Sequence, residues 1–264
     1  MQFGKSLSFQ LENLLQKRQE KMQKKTGIGE YLVDADSDDD DGYDDETDDV
    51  FDKEKTDGED KNNQSKLIDM QLVKLIKFCN DIFVKHHDSD EYQEELMMRA
   101  LEIGKKEKEK TLILDMDETM IGTQFEGKMT ENFNADFEFD FQGTNIKVSF
   151  RPFLAETLEK LSQLYEIIAF TAGVQPYADQ ILDKIDSEKK IFKKRLYRDS
   201  CIKCDQFYIK DLDVIMDRQK ENLIIVDNSI LSFAFDLANG VPINDYMGND
   251  PNDKDLLYLY SFLE

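Results

Sequence analysis

A chain of 264 residues with 40% apolar and 11% aromatic content can bury one substantial core, while 34% charged residues signal a further part outside it. The formal net charge of −23 is local: residues 30–60 hold 17 acids against Lys53 and Lys55, so that stretch supplies −15 and the rest −8, and no nucleic-acid partner is expected. Cys79, Cys201 and Cys204 are too few for a disulfide framework and no apolar run reaches the ~18 residues of a membrane span, so an intracellular soluble chain, nuclear or cytoplasmic, is expected.

Residues 6–25 place Leu7, Leu11, Leu14 and Leu15 at helical spacing, with Glu12 and Glu20 arguing against a mitochondrial presequence. Two readings stay open for this helix: one that docks a protein partner, and a marginal helix without a role. From Asp34 to about Ser65 too little apolar surface exists to offset ordering, so residues 1–66 are expected to be a short helix and a disordered acidic tail. Helical periodicity returns over 67–103, with Leu72, Leu75, Ile76 and Ile82 and then Leu96, Met97 and Leu101, giving a helical lead-in over 67–109 that GKKEKEK closes.

Strand and helix patterns then alternate over 110–264, the mark of an α/β domain. Three apolar runs each end on a polar residue: TLILD at Asp115, EIIAFT at Thr171, and NLIIVDN at Asp227 and Asn228. Strands apolar on both faces fit a parallel sheet covered on either side by helices, and ligands bind at the carboxyl ends of such strands. FEFDFQGTNIKVSF alternates Phe137, Phe139 and Phe141 with acids, turns near Gly143 and continues with alternating Ile146, Val148 and Phe150, which predicts a hairpin. KRLYRDSCIKCDQFYIKDL reads as further short strands, and both insertions are too short for a large lid.

A phosphate ester is cleaved when its charge is neutralised and a nucleophile is held in line. DMDET offers two carboxylates two residues apart: Asp115 to attack phosphorus and form an aspartyl phosphate, Asp117 to protonate the leaving oxygen and later activate water. A calcium-binding turn is the competing reading of this run alone. Thr171 offers a hydroxyl to a phosphoryl oxygen, a role compatible with capping the helix that starts near Tyr177, and Lys210 offers a cation. Asp227 and Asn228, with the Asp115 carboxylate and the Asp117 carbonyl, form the hard oxygen set that magnesium prefers.

ILDMDET, FTAG, YIKDL and IVDNS, in this order, resemble the four motifs of the haloacid dehalogenase superfamily as they stand in the small C-terminal-domain phosphatases, the NLI-interacting-factor-like group. The resemblance implies a Rossmann-like parallel sheet with small β insertions and a Mg2+-dependent phosphatase acting on phosphorylated protein such as the RNA polymerase II C-terminal domain. It makes Asp115 the nucleophile and Asp117 the acid and base, with Thr171 and Lys210 on the transferring phosphoryl group. It gives Asp115, Asp117 and Asn228 to the metal with Asp227 close by, Arg198 to the substrate, and Phe125, Val174 and Tyr177 to an apolar pocket beside the site. Two alternatives remain: a binding module of the same fold, as in a mitochondrial import receptor, and a small-metabolite phosphatase, which normally wants a larger cap. Residues 189–210 carry eight Lys and Arg against Asp199 and Asp205, so an electropositive mouth is expected, and two readings stay open for the acidic tail: one that lies across the mouth as a pseudo-substrate, and one that only keeps the protein soluble. CIKC at 201–204 is expected to be structural, since no second such pair or suitable histidine pair accompanies it.

Overall fold

The computed structural model describes residues 60–126 and 133–264; the expected N-terminal helix and the acidic tail up to residue 59 lie outside these, while residues 60–66, expected to belong to the disordered tail, are helical. Residues 74–264 form one compact unit. The lead-in is two helices, α1 (Asp60–His86) and α2 (Asp90–Arg99), broken at Ser89, whose hydroxyl accepts from the Tyr92 amide as an N-cap.

Ten strands follow. β1 (Thr111–Leu114), β5 (Glu166–Phe170), β6 (Phe192–Leu196), β9 (Leu223–Asp227) and β10 (Gly240–Pro242) make one parallel sheet in the order β10-β9-β1-β5-β6. β1 and β5 are buried along their whole length, as strands covered on both faces must be. Leu112, Leu114, Ile167 and Ala169 share a core with Leu158 and Leu161 of α3 (Leu154–Leu164), Ile181 and Leu182 of α4 (Gln175–Ile185), and Leu256 and Leu259 of α5 (Asp255–Leu263). Ile113, Ile168 and Ile225 stand in register on the other face and are equally buried.

Between β1 and β5, a second sheet joins β2 (Ile121–Phe125), β4 (Thr144–Phe150) and β3 (Phe137–Phe141) in the order β2-β4-β3. The expected hairpin is β3–β4. Its two-residue turn has Gln142 at φ 54° and Gly143 at φ 81°, the left-handed pair that matches strand twist, and Asp140 accepts from the Gly143 amide. The phenylalanines of β3 face the core and Glu138 and Asp140 face water. Gly122 is where the 247–248 backbone crosses β2; a Cβ there would lie 2.3 Å from the Gly248 nitrogen. β7 (Ile202–Cys204) and β8 (Phe207–Ile209) form a small antiparallel ribbon that delivers the chain to Lys210.

Candidate active site

Leu114 pairs with Ala169 on one side and Val226 on the other, so the residues just beyond β1, β5 and β9 emerge at one level. Asp115, Thr171 and Asp227 therefore converge, as the three strand-end signals in the sequence require. Beyond Asp115 the chain turns tightly: Met120 and Ile121 both donate to the Met116 carbonyl, and Glu118 takes a left-handed φ of 62°. A non-glycine residue in that conformation costs about 1–3 kcal/mol, a strain kept only where the surroundings fix it. Tyr246 donates to the Glu118 carbonyl and the buried Arg151 donates to that of Thr119, clamping the turn from two sides.

Lys210 is 1% exposed and lies between Asp115 and Asp227, its ammonium 2.6 Å from Asp227 and in direct contact with Asp115. Burial opposes its charge, but the two carboxylates outweigh that and hold its pKa above the usual lysine range. Asp227 is pushed up to about 7 by burial and by the Asp115 charge. Asp227, grouped by the sequence with the metal donors, has one oxygen on Lys210 and the other on the Ser229 amide at 2.7 Å. Holding the lysine and the loop is its work in this arrangement.

Asp117 accepts from the Tyr177 hydroxyl at 2.6 Å and from Thr171 at 3.4 Å. Burial pushes its carboxyl up to about 7, with the Tyr177 hydrogen bond pulling the other way and Asp115 adding to the rise. A carboxyl near neutrality can both donate and accept a proton at working pH. Thr171 also accepts from the Gly173 amide, whereas the N-cap of α4 is Val174 with no side-chain cap; the helix-capping reading of Thr171 does not hold. Tyr177, expected as an apolar wall, is more than that: its ring sits 6.1 Å from Phe139 and 5.8 Å from Phe141, while its hydroxyl bonds the candidate acid. Phe125 and Val174 pack half-buried against the same core. Arg198 donates to the Ala172 carbonyl, next to Thr171, and stacks 5.0 Å from the Tyr208 ring.

Among the described residues no three His, Cys, Asp or Glu side chains form a ready cage for a metal. The donors present still fit magnesium, which takes one or two carboxylates and completes its shell with water and phosphate. Asn228 donates its side-chain amide hydrogens to Glu118 and Asp245, and its oxygen accepts from the Thr119 hydroxyl at 3.4 Å, so that oxygen is the one that could meet a cation. Thr119 also accepts from the Asn228 amide, so the threonine of DMDET orients the asparagine of the last motif. Sequence reasoning gave Thr119 and Arg151 no role. Arg151, just beyond β4, bridges Asp253, Asp255 and the Asn244 carbonyl.

Of the eight cations on which the expected electropositive mouth rests, four have acidic partners in the structure. Lys190 pairs with Glu188, Lys193 with Glu107, Arg195 with Asp179 and Asp183, and Lys210 with Asp115 and Asp227. A count along the chain missed these acids because most come from other elements. Cys201 and Cys204 are buried free thiols, each pushed up to about 12 mainly by burial, which disfavours the thiolate that metal binding and redox chemistry need. No described helix is long and apolar enough to cross a membrane.

Residues 110–264 match the family model of the NLI interacting factor-like phosphatases. CTD small phosphatase-like protein 2 of Dictyostelium discoideum is 43% identical over 156 residues, 58% of this chain and 27% of that protein. Nuclear envelope morphology protein 1 of Schizosaccharomyces pombe is 40% identical over 157 residues, 58% of this chain and 32% of that protein. The human CTD small phosphatase-like protein is 35% identical over 165 residues, 62% of this chain and 57% of that protein. The chain thus spans between 27% and 57% of these relatives' length. Among solved structures, fission yeast RNA polymerase II CTD phosphatase Fcp1 bound to beryllium fluoride aligns at 22% identity and TM-score 0.45, over 65% of this chain and 52% of that one.

Proposed function

The chain belongs to the NLI interacting factor-like phosphatase family, and on that premise we propose that it is a magnesium-dependent protein serine/threonine phosphatase working through an aspartyl phosphate. The observation that supports this best is the pairing at the end of β1: Asp115 against a buried Lys210, and Asp117 beside it on Tyr177 and Thr171 with a carboxyl near 7. Two aspartates two residues apart thus stand in different environments, one set against a buried cation and the other suited to carry a proton.

Asp115 attacks the phosphorus of a phosphoserine or phosphothreonine, and the bond from phosphorus to the side-chain oxygen breaks. Asp117 gives its proton to that leaving oxygen, with Tyr177 holding the carboxyl in place. Lys210 and the Thr171 hydroxyl meet the charge on the phosphoryl oxygens. Asp117, now ionised, takes a proton from the water that hydrolyses the aspartyl phosphate, and phosphate leaves with Asp115 restored. Asp115, the Asp117 carbonyl and Asn228 would hold magnesium, which supplies further neutralisation of phosphoryl charge. Phe125, Val174 and Tyr177 form the apolar wall for the substrate chain and Arg198 its polar contact; the RNA polymerase II C-terminal domain is one candidate substrate.

Asp115→Asn tests the reading. The amide keeps the volume and is a far poorer nucleophile, so turnover of an aryl phosphate is expected to fall by several orders of magnitude with the melting temperature held. A variant retaining a tenth of the activity would overturn it. A full chain that binds phosphopeptide without hydrolysing it would instead favour a binding module.

A further inference from the structure

Lys210 reaches the site from a loop, and that loop is held from outside the family-matched residues. Asp211, fully buried, follows it directly. One Asp211 oxygen accepts from the Tyr92 hydroxyl of α2 at 2.5 Å, and the other from the Asp213 amide at 2.8 Å. Asp236 accepts from the next amide, Leu212, at 2.8 Å, and Lys220 bridges Asp213 and Asp236.

The segment after α2 then runs alongside the same loop. Leu101 donates to the Val214 carbonyl, Met216 donates back to that of Leu101, and Asp217 accepts from the Ile103 and Gly104 amides. Residues 211–217 are therefore gripped along their length by residues 92–104. Tyr92 has little freedom of its own: it is 3% exposed, with its ring against His87 and Phe235, and Phe83 stacks on the same two rings. Lys85 on Asp205 and Phe78 on Phe207 fasten α1 to the β7–β8 ribbon, which precedes Lys210. The lysine is thus approached by lead-in contacts on both sides along the chain.

We infer that the lead-in helices are a working part of the phosphoryl site, with Tyr92 a positioning residue that acts on Lys210 through Asp211. The inference rests on the phosphatase reading for its kinetic consequence only; where Lys210 sits can be read from oxyanion binding without turnover. Removing the hydroxyl frees one side of the Asp211 carboxylate and lets the lysine's backbone shift. A shift of a fraction of an ångström in a charged group aimed at phosphate is enough to matter, because a misplacement of about 1 Å can cost about a hundredfold in rate.

The test uses the full chain as parent, Tyr92→Phe, and Phe83→Leu as a variant that loosens the same aromatic cluster without touching the hydroxyl. Each is measured for melting temperature, aryl-phosphate kcat and KM, and tungstate affinity by calorimetry. Tyr92→Phe is expected to lower kcat about tenfold and to weaken tungstate binding severalfold, whereas Phe83→Leu lowers the melting temperature at least as much with a smaller fall in kcat and in tungstate affinity. In a Lys210→Ala background the Tyr92→Phe change should have no further effect on tungstate affinity, because two residues acting as one unit are not additive. Equal tungstate affinities for parent and Tyr92→Phe, or an undiminished effect in the Lys210→Ala background, would overturn the inference with the phosphatase reading intact. A parent that binds tungstate and hydrolyses no ester would overturn the phosphatase reading and leave the positioning role standing. A parent that binds no tungstate overturns the oxyanion site on which both depend.

Discussion

Lys210 and Arg195 are each a cation set between two aspartates, and they stand at opposite extremes of the same domain. Lys210 lies at the strand ends between Asp115 and Asp227, with side-chain exposures of 2%, 7% and 1%. Arg195 lies on the edge strand β6 between Asp179 and Asp183 of α4, with 15%, 32% and 52%. In water-screened surroundings such a trio is worth little, whereas in a dry one each charge depends on the others and the whole becomes an electrostatic device. Similar residues give a partly solvated cluster in one place and the proposed phosphoryl site in the other, and burial makes the difference.

That contrast can be broken most easily from the buried side. Lys210→Ala leaves two aspartates facing each other without a cation, so a stability loss of about 3–5 kcal/mol is expected at neutral pH by urea unfolding. Loss of a charge that meets the transition state should also lower kcat on an aryl phosphate about a thousandfold. A drop of less than tenfold would place Lys210 alongside Arg195 as a structural cation.

Next in size is Tyr177→Phe. Its hydroxyl favours the ionised form of Asp117, so without it that carboxyl should rise further above about 7. A roughly tenfold fall in kcat is expected, together with movement of the pH–rate limb that reports Asp117 to higher pH. An unmoved limb would remove Tyr177 from the proton path.

Asp211 extends the comparison to stability. Burial pushes its carboxyl up to about 6 from an unfolded value of 3.8, with the Tyr92 hydrogen bond acting against the rise. The folded state therefore keeps a proton that the unfolded chain has released. The contribution is full below pH 4 and is lost as pH rises through 6, about 3 kcal/mol in all. Asp211→Asn should lack this decline, so the gap between parent and variant unfolding free energies should change between pH 4 and pH 7. A constant gap would mean that Asp211 is ionised throughout.

The smallest effect belongs to the exposed trio. Arg195→Ala should cost no more than about 1 kcal/mol, less at high salt, and leave kcat where it was. A larger cost would mean that the β6 edge behaves as a dry site after all.

Much of this molecule was legible before folding was considered. Three apolar runs ending on Asp115, Thr171 and Asp227 determined a parallel sheet with its chemistry at one edge, because a strand buried on both faces leaves only its ends for polar groups. The β3–β4 hairpin followed from strict alternation across a glycine turn. What the sequence did not hold was which charge meets which. The basic run at 189–210 looked electropositive until α4 and Glu107 brought acids to Arg195 and Lys193. Tyr177 looked apolar until its hydroxyl met Asp117, 60 residues away. Tyr92 carried no signal at all, since its partner Asp211 lies 119 residues on. Backbone pattern is local and repeats every two or 3.6 residues, so it can be read along a chain. Electrostatic environment is a sum over neighbours in space, and only the tertiary structure chooses those neighbours.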